Sequence, residues 1–261
     1  MTEPIKEFSL DLFSLAGKVA VITGGNTNLG EAYAVALAKA GADIFVAHFT
    51  DDIESVKSKV EAAGRSIKFL QGDLSDNEYI RNIVKTCVAE YGRLDILVNN
   101  AGTNHFEDFR TFPDEKFKQV MDININACYY LANECAKYMA DHGGGKIINI
   151  GSVLSFTADV MCPGYAVAKH GVIGLTRFLA NNCGQYNIQT NALCPGFIKT
   201  EINADLSDNP EFYNRITGRI PQGRWGAPED LVGTAVFLGS RASDYVNGWY
   251  ISVDGGFSTT L

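Results

Sequence analysis

The chain is poor in the features that mark several common classes of protein, and each shortage excludes one. Its 261 residues carry a net charge of −8 and contain no lysine or arginine cluster, so the basic patch of a nucleic-acid-binding surface is missing. The acidity serves ordinary solubility. No apolar run is long enough to span a bilayer, and Met1–Lys18 carries Glu3, Glu7 and Asp11 where a secretory signal would be apolar. No Asn-x-Ser/Thr sequon occurs. The six cysteines, Cys87, Cys128, Cys135, Cys162, Cys183 and Cys194, show no Cys-x-x-Cys spacing. Most fall in segments that read as helix or buried strand. They are read as reduced thiols of a cytoplasmic protein, neither disulfides nor metal ligands. Neither His nor Cys spacing encodes a metal site, so no metal is expected. Repeats, low-complexity tracts and linkers are absent as well.

What is present is a rhythm of short apolar runs and longer amphipathic stretches. Val19–Thr23, Asp43–Ala47, Ile67–Leu70, Ile96–Val98, Lys146–Ile150, Gln189–Leu193 and Tyr250–Val253 read as strands. Between them lie helix-length segments over Leu29–Ala40, Ile53–Ala63, Asn77–Tyr91, Asp114–Ala140, Tyr165–Tyr186 and Pro228–Gly239. This alternation predicts a parallel sheet covered on both faces, whose buried strands are nearly continuous apolar runs. The expected fold class is α/β, a doubly wound sheet of seven parallel strands flanked by helices, with residues 1–261 in one domain. Residues 195–226 fall outside the rhythm and are a candidate lid over whatever binds at the strand ends.

After the first strand comes Thr23-Gly24-Gly25-Asn26-Thr27-Asn28-Leu29-Gly30, then a helix. Glycines let a backbone turn sharply and approach a pyrophosphate at the helix N-terminus; the same turn also serves simple packing. Asn28 stands where a dinucleotide fingerprint has glycine, and asparagine tolerates left-handed backbone better than most residues. In a doubly wound sheet, an acid ending the second strand would bind the adenosine ribose. That position reads as His48, followed by Phe49 and Thr50. No arginine is there to grip a 2′-phosphate, and Asp51 and Asp52 would repel one, so NAD is favoured over NADP. His48 itself reads either as a cofactor contact or as a strand-end histidine exposed to solvent.

Tyr165 and Lys169 stand four residues apart, with Ser152 upstream. One helical turn puts the phenol and the ammonium on one face. A nearby cation favours the ionised form of a phenol, which suits it to exchange protons near neutral pH. Asn124 lies in a helix although asparagine is a poor helix former, which is consistent with a water-holding role in a proton relay. A serine hydrolase built on Ser152 would need Gly-x-Ser-x-Gly, and no second glycine follows in Gly151-Ser152-Val153-Leu154.

Together these residues resemble the short-chain dehydrogenase/reductase family over the whole length. The match includes Thr23–Gly30, Asp73, Asn99-Asn100-Ala101-Gly102, Asn124, Ser152, Tyr165 with Lys169, and Pro195-Gly196 with Thr200. Arg219-Ile220-Pro221-Gln222-Gly223-Arg224-Trp225-Gly226 and the run Ala242–Gly248 look like the 2-deoxy-D-gluconate 3-dehydrogenase and gluconate 5-dehydrogenase type. The resemblance implies a Rossmann-type fold and a nicotinamide-dependent oxidoreductase of a secondary alcohol, acting on a sugar acid or polyol. The alternatives are a hydroxysteroid dehydrogenase, a 3-oxoacyl thioester reductase or a non-catalytic dinucleotide sensor. A homotetramer is implied, with Asp114–Ala140 and Tyr165–Tyr186 as the expected contact surfaces.

The same resemblance assigns roles. Tyr165 is the general acid/base, Lys169 holds the nicotinamide ribose, Ser152 bonds the substrate oxygen and Asn124 completes the relay. The implied cofactor site comprises Gly24, Asn26, Asn28, Leu29, Gly30, His48, Phe49, Asp73, Leu74, Asn100, Ala101, Gly102, Pro195, Gly196, Ile198 and Thr200, besides Tyr165 and Lys169. Asp73 reads either as an acceptor for the adenine amine or as a cap before the helix at Asn77. The substrate side is expected at Asn104, His105, Ser152, Leu154, Tyr165 and Phe197. The sugar-acid relatives commonly carry an Arg-Arg pair where this chain has Asn104 and His105. Arg110 or Arg215 is a possible substitute for it.

Overall fold

The computed structural model describes residues 7–200 and 204–260. Seven strands build one sheet: β1 (Val19–Thr23), β2 (Asp43–His48), β3 (Ile67–Gln71), β4 (Ile96–Asn99), β5 (Gly145–Ile150), β6 (Ile188–Pro195) and β7 (Tyr250–Val253). They lie in the order β3-β2-β1-β4-β5-β6-β7, every neighbouring pair parallel. The order reverses between β1 and β4. In an open α/β sheet the crevice outside the carboxyl ends of strands at such a reversal is where ligands bind.

Successive side chains on a strand face opposite sides, and here both sides are apolar. Ala20, Ile22, Ile44, Val46, Ile96 and Val98 face one cluster, which takes in α1 (Asn28–Lys39), α2 (Glu54–Ala62) and α9 (Glu229–Gly239). Val19, Val21, Phe45, Ala47 and Leu97 face the other, built with α3 (Asn77–Tyr91), α5 (Ala127–Asp141) and α6 (Pro163–Cys183). That two-sided burial is why the inner strands read as unbroken apolar runs. The edge strands are less buried, and β3 carries Lys68 and Gln71.

Two expected elements differ in detail. The single helix read over Asp114–Ala140 is α4 (Asp114–Met121), one turn of π-helix at Asp122–Asn126, and then α5. Within that turn Asn124 is fully buried, and its amide faces the backbone of Thr103 rather than the helix. α6 begins at Pro163, two residues earlier than expected, because proline suits the first turn, where its missing N–H is not needed.

The segment around 195–226 has its own structure, although its residues 201–203 lie outside those described. It contains α7 (Ala204–Ser207) and α8 (Pro210–Thr217), the latter capped by the Asn209 side chain. An aromatic cluster of Phe197, Phe212, Trp225 and Phe257 fastens it to the end of the sheet.

Candidate active site

The turn after β1 is braced from β4. Thr23 Oγ1 accepts from the backbone N–H groups of Asn100 and Ala101 at 3.0 and 2.9 Å. The Asn100 amide donates back to the carbonyls of Thr23 and Gly24. Gly24 has φ +60°, and Asn28 has φ +48°, the left-handed backbone that fits asparagine where the fingerprint has glycine. A Cβ on Gly30 would be driven into the Gly24 carbonyl and lie 2.7 Å from Asn100 Nδ2, so only glycine lets α1 approach this closely. Leu29 packs into the core beneath the turn. Thr27, at the N-cap of α1, makes no side-chain cap, so side chains do not cover the amides of the first turn. These features fit a pyrophosphate.

Several expected cofactor residues act through their neighbours. The Asn26 amide donates to Thr50 O, Thr50 Oγ1 and Asp52 O, tying the glycine turn to the loop after β2. His48 is buried, with Nδ1 2.8 Å from Thr50 O and its ring edge-on to Phe69. The reading of His48 as a solvent-exposed strand-end residue is thereby corrected. Phe49, on the opposite face, is 70% exposed. Asp73 is exposed and accepts from Ser75 N, whereas the cap of α3 is Asp76, so the capping alternative for Asp73 does not hold. Leu74 and Ala101 line a small crevice at the ends of β1 and β4. Gly102 runs against Asn124 Oδ1. Pro195 ends β6, Gly196 packs on Asp254, and Ile198 bridges to Gly226. Thr200 lines a cleft of about 580 Å³, shared with Asn28, Ser55, Lys59 and Lys199.

The chemistry-bearing residues meet at the end of β5. Lys169 is buried, and its Nζ donates to Ile150 O at 2.7 Å. The same ammonium lies 5.4 Å from the Tyr165 ring centroid. Two residues after Ile150, Ser152 caps a 3-10 turn, Val153–Ser155: its Oγ accepts from Leu154 N, and Ser155 Oγ accepts from Ser152 N. Ser155 is thus a turn residue. Because the Ser152 oxygen already accepts, its O–H remains available to donate to a substrate oxygen. Leu154 is half-buried beside it.

Asn124 is tied to the chain that leaves β4. Its Oδ1 accepts from Thr103 N and its Nδ2 donates to Thr103 O, both at 2.8 Å. The side-chain amide thus braces the strand exit.

Thiols near the site are held protonated. Burial pushes Cys194 and Cys162 each up to about 11 and raises Cys128 as well, even with Lys169 nearby lowering Cys194 and Cys128. None is a nucleophile at neutral pH. No cluster of metal-ligating side chains exists among the described residues. Arg110 makes a bidentate, solvent-exposed contact with Asp108 at 2.8 and 3.0 Å. Arg215 lies over the Phe212 ring. Sequence reasoning missed the acceptor role of Thr23 and the bracing by Asn26. A hydroxyl directly before a glycine turn was the available signal for the first. The partners of Asn26 lie in another loop, so the second had none.

Comparisons agree with this geometry. A family model described as Enoyl-(Acyl carrier protein) reductase matches residues 24–258. The 2-dehydro-3-deoxy-D-gluconate 5-dehydrogenase of Dickeya dadantii (strain 3937) is 45% identical over 249 residues, 95% of this chain and 98% of that protein. The gluconate 5-dehydrogenase of Gluconobacter oxydans (strain 621H) is 36% identical over 96% of this chain and 98% of its own length. A crystal structure of a gluconate 5-dehydrogenase from Burkholderia cenocepacia J2315, in complex with NADP and tartrate, superposes with a TM-score of 0.92 at 35% identity, covering 97% of this chain and 99% of that one. With the turn, the brace and the Ser152/Tyr165/Lys169 arrangement in place, the chain belongs to the short-chain dehydrogenase/reductase family of nicotinamide-dependent oxidoreductases.

Proposed function

We propose that this enzyme interconverts a secondary alcohol and a ketone on a sugar acid or polyol, with NAD as the preferred cofactor. The observation that carries the reading is Lys169, buried and bonded to Ile150 O, with its charge beside the Tyr165 ring. The nicotinamide, when bound, accepts or returns the hydride. In oxidation, Tyr165 Oη as phenolate takes the hydroxyl proton; in reduction, it gives that proton back. Ser152 O–H donates to the same substrate oxygen and holds it in place. Lys169 keeps a positive charge next to the phenol in both directions. Asn124 keeps the Gly102–Thr103 backbone in position and completes the proton relay.

The sugar-acid part of the reading rests on the relatives' names. The NAD preference rests on residues 48–52, which are His48, Phe49, Thr50, Asp51 and Asp52 and hold no cation. Asp51 is held by Gln71 at 2.7 Å, at the end of β3. A 2′-phosphate would meet two carboxylates there. The solved Burkholderia relative is in complex with NADP, so kcat/KM with each dinucleotide is the deciding measurement. A higher value with NADP would sink the preference.

Leu154 and Phe197 are read as apolar walls of the substrate site. Residues 195–226 serve as its lid, within a single domain spanning 1–261. A homotetramer is supported by the exposed aromatics Phe117, Tyr129, Tyr130 and Phe178 on α4, α5 and α6, and light scattering would check it. The six unpaired cysteines support a cytoplasmic, reducing location. No helix among the described residues is long and apolar enough to cross a membrane.

The test of the chemistry is Tyr165→Phe. Removing the hydroxyl should lower kcat by about 10³-fold or more, within the range typical of acid–base groups, while dinucleotide affinity stays within a few-fold. Turnover retained in that variant would overturn the mechanism.

A further inference from the structure

Next to the serine of the site, β5 and β6 meet in a tight fit that the proton chemistry does not use. Their ladder runs one residue past Ile150: Gly151 N donates to Leu193 O at 2.8 Å. Gly151, the residue before Ser152, is thereby set beside Cys194. On its other side the Cys194 backbone pairs with Ser252 of β7, so it is fixed from both directions. The Cys194 side chain is fully buried in a cluster with Ile173 and Ala192, against which Phe156 and Tyr250 pack.

Gly151 is buried, and it is not one of the glycines with positive φ. Its backbone would accept other residues; space is what forbids them. A Cβ at this position would lie 2.6 Å from Cys194 Sγ and 3.1 Å from Ser155 Oγ. Non-bonded heavy atoms attract at about 3.5–4.0 Å and repel well inside it. Both crowded atoms support Ser152. Ser155 Oγ accepts from Ser152 N at 3.1 Å. The Cys194 sulfur is raised to about 11 by burial, which the Ser152 N–H, Lys169 and the Ser155 hydroxyl beside it offset only in part. The thiol is therefore neutral and acts by its volume, as a small hydrophobe.

We infer that Gly151 and Cys194 are a size-matched pair whose contact sets where the Ser152 hydroxyl stands. Cys194 is a positioning residue, because it acts through Gly151 and the Ser152 turn. The sulfur fills the space that a side chain at 151 would need, and the glycine lets the turn settle onto it. The inference rests on the alcohol–ketone reading above, in which Ser152 donates to the substrate oxygen, and says what holds that donor in register. A misplacement of about 1 Å in such a group can cost 10²-fold in rate. The glycine turn that fits the pyrophosphate lies after β1, on a different strand. A fault in the pair should therefore appear in kcat and leave dinucleotide affinity alone.

The experiment compares the wild type with Gly151→Ala, Cys194→Ala and the double variant. It follows thermal unfolding, NAD titration, and kcat and KM with NAD on D-gluconate and a hexitol. Gly151→Ala should lower Tm by roughly 3–10 °C, as overpacking does in a domain of this size. It should lower kcat by about 10- to 100-fold with little change in KM. Cys194→Ala should show a smaller loss in both. In the double variant the added methyl enters the space the sulfur left, so kcat should return to within about threefold of wild type and Tm should rise above that of Gly151→Ala. NAD affinity should stay within a few-fold throughout. In a Ser152→Ala background, Gly151→Ala should remove nothing further from the residual turnover, because its effect runs through that hydroxyl. Losses that simply multiply in the double variant would overturn the pair, as would wild-type kcat in Gly151→Ala or a further loss in the Ser152→Ala background. A loss seen in Tm alone, or equally in NAD affinity, would reduce the contact to packing and overturn the positioning role. Should Gly151→Ala fail to fold, a folded double variant supports the pair and an unfolded one overturns it. A wild type that turns over neither substrate fails at the earlier reading, while the Tm comparison still judges the pair.

Discussion

The cofactor end and the substrate rim of this enzyme are built on different terms. At the cofactor end, side chains are occupied with one another: Thr23 with Asn100 and Ala101, Asn26 with Thr50 and Asp52, Lys169 with Ile150. At the rim, exposed apolar side chains such as Phe106, Phe109 and Met161 surround a fastened strip of backbone. The first region fixes a reaction by leaving almost no side chain free to drift. The second leaves room for a substrate to be chosen. A change in the framework should therefore cost stability and dinucleotide affinity for every substrate alike, whereas a change at the rim should alter preference and spare the melting temperature.

The largest effect should come from Gly30→Ala. The added methyl meets the Gly24 carbonyl, a backbone atom that cannot swing aside. Overpacking of this kind costs about 3 kcal/mol at the upper end of the usual range. For a domain this size that corresponds to a fall in Tm of roughly 6–12 °C, readable by calorimetry, together with weakened dinucleotide binding. A variant with wild-type Tm would mean that the turn is soft, and the contrast between the two regions would dissolve.

Thr23→Val should come next. The shape is kept, but the N–H groups of Asn100 and Ala101 lose their shared acceptor. An unsatisfied buried donor costs about 1–3 kcal/mol. Thr23→Ser, which keeps the oxygen, should restore most of the loss. If Val and Ser behave alike in thermal unfolding and in dinucleotide titration, the brace is only packing.

These two sites also show what the sequence could reveal. The sheet was legible because two-sided burial writes itself as uninterrupted apolar runs, and the order of glycine turn, Asn-Asn-Ala-Gly, Ser, Tyr and Lys gave the reaction. Gly30 was legible as a motif position. The long helix read through Asp114–Ala140 was not resolved into its parts, because a π turn has no residue code of its own; it follows from Asn124 turning its amide to Thr103. Of the two readings of His48, the exposed strand-end one failed because its partners, Thr50 O and Phe69, come from a loop and a neighbouring strand. The pairing of Arg110 with Asp108, only two residues away, was not read. The helical (i, i+4) spacing that exposed Tyr165 and Lys169 does not apply in a turn.

The smallest effect should appear just beyond the segment 195–226, at the start of α9. Asp230, in the first turn of α9, accepts from Arg224 at 2.7 and 2.8 Å and from Ala227 N. The Arg224 guanidinium, with the Ala227 amide, holds its pKa down at about 2. A carboxyl with a depressed folded pKa contributes stability that is fully present above its unfolded value, near 4, and is lost as pH falls through about 2. The pair is well exposed to solvent, so the contribution is small. Asp230→Asn should therefore leave Tm at pH 7 nearly unchanged and flatten the acid limb of the stability profile between about pH 4 and pH 2. Because Gly226 bridges back to Ile198, the variant should also loosen the start of the segment 195–226; if that segment is the proposed lid, substrate KM rises slightly at unchanged kcat. An acid limb that matches wild type would mean that Arg224 and Asp230 do not hold each other in solution, and that the segment 195–226 is anchored by its aromatic cluster alone.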